Sequence, residues 1–263
     1  MKVKLLSFLM AFFLLTACGG DDLVQQPVKR TEPTYYVLCD FSASQGNQSR
    51  QAIIQNADSL FKVMCRQHAR IIYFDISAAQ YEKPFFDYSI VQPSFVTGTK
   101  LRQREQEIAV KGDTLHRRME RICNLPSSLN TCIIRAIGKV ANSMSRDIGP
   151  GKIDQPVKIV ILSDLLEDCA YNNRRVNIDR GDFTRAFQIL DAMPKPTATF
   201  STYKDIEITL VASSQRTIKQ DSLDSFWEAV FRKFDHQLTE PISVSLPRWA
   251  QEPKQVRSAK TPG

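Results

Sequence analysis

V-L-C-D-F-S-A-S, residues 37–44, decides how this chain is read. An apolar run stops at an acid, and two hydroxyls follow at every second position. Asp40, Ser42 and Ser44 are oxygen donors, the hard ligands that a hard dication such as Mg²⁺ prefers. The residues upstream, Tyr35, Tyr36, Val37, Leu38 and Cys39, form a near-continuous apolar run. That pattern predicts a strand over Thr34 to Asp40, buried on both faces of a parallel sheet.

Working outward, Gly46 and Asn47 mark a turn, and Gln48 to Arg66 predicts a helix. Its apolar residues Ile53, Ile54, Ala57, Leu60, Phe61, Met64 and Cys65 recur on one face. R-I-I-Y-F-D-I, Arg70 to Ile76, predicts a second buried strand, and strand, helix and strand make one right-handed crossover. Residues 77–99 are irregular, with an edge strand expected over Tyr88 to Val96 because Pro93 argues against a central position. Lys100 to Ile122 alternates in charge and predicts a largely exposed helix. Thr131 opens a helix over Cys132 to Met144, and V-K-I-V-I-L, Val157 to Leu162, is a buried strand running straight into Ser163-Asp164. A helix over Asp182 to Met193, a strand over Ile206 to Ala212 and an amphipathic helix over Leu223 to Phe234 follow. I-S-V-S-L is a short edge strand, and the basic, Pro-containing end after it is expected to be mobile. Strands alternating with helices predict a doubly wound α/β fold with a mostly parallel sheet.

The ordered set D-x-S-x-S after a buried strand, a threonine at a helix start in T-C-I-I-R-A-I, and a strand-ending aspartate resembles the metal-ion-dependent adhesion site of von Willebrand factor A (integrin I-like) domains. The resemblance covers roughly Thr34 to Phe234, with residues 77–122 read as an insertion. It implies that Asp40, Ser42, Ser44, Thr131 and Asp164 hold Mg²⁺ or Mn²⁺. It also implies that a protein partner's carboxylate completes the metal's shell. Such a site lies beyond the carboxyl ends of adjacent strands, at a topological switch point. Two features leave alternatives open. Thr131 or Asn130 serves equally as a helix cap. Leu165 stands where the family usually has glycine, which puts the loop shape in question.

Residues 1–17 read as a leader, not as part of the fold. Lys2 and Lys4 form a short basic region, and Leu5 to Thr16 is an apolar stretch too short to span a bilayer comfortably. L-T-A-C, ending at Cys18, is similar to the bacterial lipobox, which implies that Cys18 is lipidated and becomes the mature N-terminus. That places the protein in a bacterial cell envelope, anchored by acyl chains on the periplasmic or cell-surface face. Residues 18–33 read as a polar tether. Its Asp21-Asp22 pair is either solvated linker charge or a resemblance to a surface-export signal. The remaining organisation is a von Willebrand factor A-like domain over residues 34–240 and a tail over 241–263.

At 263 residues, 43% apolar and 24% charged, the chain is ordinary globular material with room for a sizeable core. Its formal net charge of +7 is spread along the chain and fits a solvated basic exterior, with an anionic partner the second reading. No RNA-binding motif or zinc-finger spacing accompanies it, so no nucleic-acid partner is expected. Beyond Cys18 there are five cysteines, with no C-x-x-C and no zinc spacing. Cys39 and Cys65 fall in predicted core positions as free thiols. Cys132 and Cys169, each closely following a proposed site residue, form the expected disulfide. The three histidines are scattered, without a ligand cluster. A metal-dependent hydrolase using Asp40 and Asp164 would need a general base or a nucleophile elbow, and neither is recognisable. The expectation is therefore a binding module and no enzyme. The alternative is a structural subunit of an envelope assembly with a vestigial metal site. Partner identity and oligomeric state are not legible.

Overall fold

The computed structural model describes residues 32–42, 45–67, 69–77, 83–90, 98–125, 130–148, 155–171, 173–178, 181–203, 205–213, 220–238, 242–243 and 245–251. The leader, residues 18–31 of the tether including Cys18, Ser44, His68 and residues 252–263 lie outside these.

A five-stranded sheet is built from β1 (Thr34–Cys39), β2 (Arg70–Asp75), β3 (Phe86–Ser89), β4 (Val157–Ser163) and β7 (Ile206–Ala212), in the order β3-β2-β1-β4-β7. All neighbours run parallel except β3, which lies antiparallel along β2 at one edge. The connections therefore wind outward in both directions from β1. The crevice beyond the ends of β1 and β4 is the point where the winding direction reverses, the place where open α/β sheets bind ligands.

The continuous apolar runs are explained by layers on both faces. Side chains alternate along a strand, so Tyr36 and Leu38 of β1 face one layer while Tyr35, Val37 and Cys39 face the other. The first layer contains α3 (Ile133–Ile148), α4 (Phe183–Ala192) and α5 (Gln220–Lys233). The second contains α1 (Asn47–Arg66) and, outside it, α2 (Gly98–Asn124). The charged helix foreseen as an exposed insertion is thus an extra sheath running antiparallel to α1. Arg50 Nη1 donates to the Cys123 carbonyl (3.2 Å), His116 Nδ1 meets Asp58 (2.7 Å), and Arg104 Nη2 reaches the Cys65 carbonyl (3.4 Å). Leu115 and Met119 are its buried anchors, and its outer face is polar.

Two sequence expectations need correction. The edge strand begins before the expected Tyr88: β3 is Phe86–Ser89, because Phe86 and Tyr88 register against Tyr73 and Ile71 of β2. Residues 91–97 lie outside the described residues. The chain end is not uniformly loose. Trp249 packs on Tyr35 with ring centroids 5.2 Å apart and donates to Glu207 at 2.6 Å. Lys158 sits 4.6 Å over the Trp249 ring and pairs with Glu207 at 2.9 Å. The I-S-V-S-L stretch contributes one parallel bridge, Ser243 beside Val211.

An element absent from the sequence reading follows β4. It is a hairpin of β5 (Asp168–Tyr171) and β6 (Arg174–Asn177), turning at Asn173 with φ 62°. Among the described residues, no helix is long and apolar enough to cross a membrane.

Candidate metal centre

Three parallel strands end in the same way. Asp40 follows β1, Asp75 closes β2 and Asp164 follows β4. Each carboxylate bends back to accept the N–H two residues on: Ser42 to Asp40 at 3.0 Å, Ser77 to Asp75 at 2.9 Å, and Leu166 to Asp164 at 3.0 Å. This is the Asx turn, and it carries the backbone sharply out of the sheet plane. Asp75-Ile76-Ser77 repeats the spacing of Asp40-Phe41-Ser42. That repetition was the signal available for the third acid, which the sequence reading did not single out.

The Asp40 carboxylate is a hub. Its Oδ2 accepts from the Ser163 hydroxyl at 2.7 Å and from the Gln45 amide at 3.1 Å, while Oδ1 takes the Ser42 N–H. Gln45 in turn accepts from the Ser213 hydroxyl just past β7 (3.0 Å). One carboxylate thereby ties β1, β4, the approach to α1 and the end of β7. Across the crevice, the Thr131 hydroxyl donates to the Ser42 hydroxyl at 2.9 Å. Asp40, Ser42 and Thr131, separated by up to 91 residues, are brought together. Asp164 stands on the adjacent strand end next to Ser163, and Ser44 is outside the described residues.

Thr131 is available for that contact because another residue caps its helix. The first N–H groups of α3, from Ile133 and Ile134, go to Glu167 Oε2 at 2.8 and 3.2 Å. A carboxyl at a helix N-terminus satisfies orphan donors and meets the positive end of the dipole. Tyr171 donates its hydroxyl to the other oxygen of Glu167. Burial nevertheless pushes the Glu167 carboxyl up to about 8, against the pull of Tyr171 and the two N–H groups and with a further upward push from the Asp40 charge. Asp75 is raised to about 6, again chiefly by burial, opposed by its bonds to Ser77. The Cys39 thiol beside it is pushed well up by desolvation and by Asp75.

The loop after β4 takes the shape that a glycine would favour. Leu165 has φ 62°, a left-handed conformation that costs a non-glycine residue about 1–2 kcal/mol. Four interactions hold it there. Its N–H meets the Ser163 hydroxyl (3.0 Å), its carbonyl accepts from the Trp227 indole (3.1 Å), its side chain is fully buried, and Asp164 turns the next residue back. Leucine is thus tolerated where the resembling family has glycine.

The Cys132–Cys169 disulfide, with Cα atoms 5.0 Å apart, fastens the β5–β6 hairpin to the start of α3. Asp168 N–H bonds to the Thr131 carbonyl at 2.9 Å alongside it. Cys39 and Cys65 are buried free thiols and Cys123 is a half-buried one. His116 and His236 have other roles. The first bridges Asp58 and Glu120, and the second packs on Phe200 and Phe231.

No family model matches this chain, and no curated protein matches it. Among solved structures it is similar to the pilus adhesin SpaC from Lactobacillus rhamnosus GG in an open conformation. That likeness has 8% identity and a TM-score of 0.41, and covers 76% of this chain and 26% of that one. It is also similar to the manganese-loaded TRAP protein of Plasmodium vivax, with 10% identity and a TM-score of 0.37, over 74% of this chain and 63% of that one. The chain thus spans less than two thirds of either. Likenesses this distant leave the function to the chain's own residues.

Those residues suit a hard cation in kind. Two carboxylates and two hydroxyls are oxygen donors of the sort Mg²⁺ takes, often with retained waters. They do not suit a nitrogen- or sulfur-loving metal. Among the described residues, no group of three or more His, Cys, Asp or Glu side chains stands together to hold a metal ion of any kind, so a cation here would rely on hydroxyl oxygens and water beside the carboxylates.

Proposed function

We propose that this is an extracytoplasmic binding module, not an enzyme, that recognises a protein partner through a divalent cation, Mg²⁺ or Mn²⁺. The observation that carries the reading is the contact between the Thr131 and Ser42 hydroxyls, placed beside Asp40 where the winding direction reverses. In this reading Asp40 and Asp164 supply charge, directly or through water, and Ser42, Ser44 and Thr131 supply neutral oxygens. A cation held there would supply a Lewis-acidic position for a partner's carboxylate. The chain's own part is to hold the donors on three separate elements and to fix them from behind. Ser163, Gln45 and Glu167 do the fixing. The resemblance to von Willebrand factor A domains supports the same assignment. The lipobox at Cys18 adds anchoring to an envelope membrane through acyl chains.

A second reading is favoured by a specific feature of the same site. Asp40, Ser42 and Thr131 are each 0% exposed, and both Asp40 oxygens already accept protein hydrogen bonds. A scaffold subunit of an envelope assembly, its metal site vestigial, would look like this. Thermal unfolding and calorimetry with Mg²⁺ or Mn²⁺ separate the two. A cation that binds the native state raises the melting temperature by linkage. Asp40→Ala abolishes that rise and Ser42→Ala reduces it. No rise in the parent protein leaves the scaffold.

A further inference from the structure

The Thr131 turn is carried by the β5–β6 hairpin. Four successive residues are each fastened to that hairpin or to Glu167 at its root. The Asn130 side chain accepts from Arg175 at 3.1 Å, and the Thr131 carbonyl accepts the Asp168 N–H at 2.9 Å. Cys132 is bonded to Cys169, and the Ile133 N–H goes to Glu167 at 2.8 Å. The central sheet reaches the turn by a longer bond, 3.4 Å from the Cys132 N–H to the Ile76 carbonyl. Held in this way, Thr131 offers its hydroxyl to Ser42.

The hairpin is a weak carrier on its own. Its strands have four residues each, and an isolated two-stranded hairpin is at best marginally stable in water. Within those strands Cys169 and Val176 are the buried side chains. The bonds from Arg175 to Asn130 and from Arg135 to the Ala170 carbonyl (3.0 Å) are exposed, so water replaces them readily. The covalent link is of another kind. Water cannot replace it, and it joins the residue next to Thr131 to the buried cysteine of β5. Cys132 and Cys169 are 3% and 2% exposed, so the closed bond is shielded from small thiols.

We propose that closure of the Cys132–Cys169 disulfide licenses the cation site: the oxidised protein holds Thr131 ready for the ion, and the dithiol form does not. The inference rests on the cation-site reading and gives that site a regulation, dependence on an oxidising compartment. In the step, an S–S bond forms between Cys132 and Cys169. Their two thiols give up two electrons and two protons to the disulfide of an exchange oxidant, whose own S–S bond breaks to two thiols. Burial makes this a licence given once, at folding, and not a sensor that toggles.

The test compares the full chain in two forms, one oxidised and one folded under a phosphine reductant so that Cys132 and Cys169 stay thiols. Each is titrated with Mn²⁺ by calorimetry and followed by amide hydrogen exchange. Supports behind a metal ligand contribute about 10- to 100-fold to affinity, so the dithiol form is expected to bind Mn²⁺ about tenfold more weakly. Its Asp168 and Ile133 amides lose protection while those of β1 and β4 keep theirs, and reoxidation restores both affinity and protection. The double variant Cys132→Ala, Cys169→Ala behaves as the dithiol form, and reductant leaves its affinity unchanged. Equal Mn²⁺ affinity of the two forms overturns the proposal. So does loss of protection in β1 and β4, which would make the bond a support of the whole fold. The failures are distinguishable. An oxidised protein that binds no Mn²⁺ sinks the cation reading and the licence with it, whereas equal binding by both forms sinks the licence alone.

Discussion

Leu165→Gly sets two opposing effects against each other. Glycine adopts the φ of 62° without the roughly 1–2 kcal/mol cost that a Cβ incurs there. Against that, the Leu165 side chain is fully buried among the residues of the α3–α5 layer, and truncating a buried leucine costs about 2–5 kcal/mol. Glycine also enlarges the freedom of the unfolded chain by about 0.5–1 kcal/mol relative to alanine. Burial wins, and the expected net loss is about 2–4 kcal/mol. Leu165→Ala makes the comparison informative, since it loses nearly the same side chain but keeps the strained backbone. If strain is real, the glycine variant is no less stable than the alanine variant. If the backbone were relaxed, glycine would be worse by about 0.5–1 kcal/mol. Urea unfolding with both midpoint and slope recorded reads the difference. A glycine variant clearly less stable than the alanine variant would refute the argument, as would one more stable than the parent.

The other predictions are more direct. Glu167 and Asp75 have folded-state values of about 8 and about 6, above their unfolded ones, so each binds its proton more tightly when folded. Their contribution is complete below the unfolded carboxyl range and is lost as pH rises through the folded values. Stability should therefore fall between about pH 4.5 and 8, and Glu167→Gln, which keeps an oxygen for the α3 N–H groups, should flatten the upper part of that fall in denaturant titrations across pH. Replacing both Cys132 and Cys169 by serine opens a link across a sequence separation of 37 and should cost about 4 kcal/mol by chain entropy, less any enthalpic offset. An unchanged unfolding midpoint would exclude that contribution. Cys18→Ser should abolish fatty-acid labelling and leave the protein unprocessed or soluble, and persistent labelling would remove the lipid anchor.

The parallel sheet was legible because strands covered on both faces are largely apolar: β1 and β2 read as near-continuous runs, and β4 and β7 remain dominated by Val, Ile and Leu although Lys158 and Glu207 interrupt them near their starts. The β5–β6 hairpin was not. Its strands have four residues each, only Cys169 and Val176 are buried, and Arg174-Arg175 reads as solvated charge. The position of α2 was half legible. Its charge pattern predicts exposure, but its contact with α1 depends on polar pairs such as His116–Asp58 that have no periodic signature. At the site, Asp40, Ser42 and Thr131 were named from the sequence. Gln45, Ser163 and Glu167 were not, because their roles arise only when strand ends meet in space.

The central claim is that the hydroxyls of Ser42 and Thr131 and the carboxylates at the ends of β1 and β4 share a cation. A crystal grown or soaked with Mn²⁺, measured for anomalous scattering, tests it most directly. A peak is expected about 2–2.5 Å from the Ser42 and Thr131 hydroxyl oxygens, the ordinary range for a hard cation and oxygen. The present hydrogen bond between those hydroxyls would be replaced by shared coordination. A saturated crystal with no peak there, and with the 2.9 Å contact intact, would contradict it.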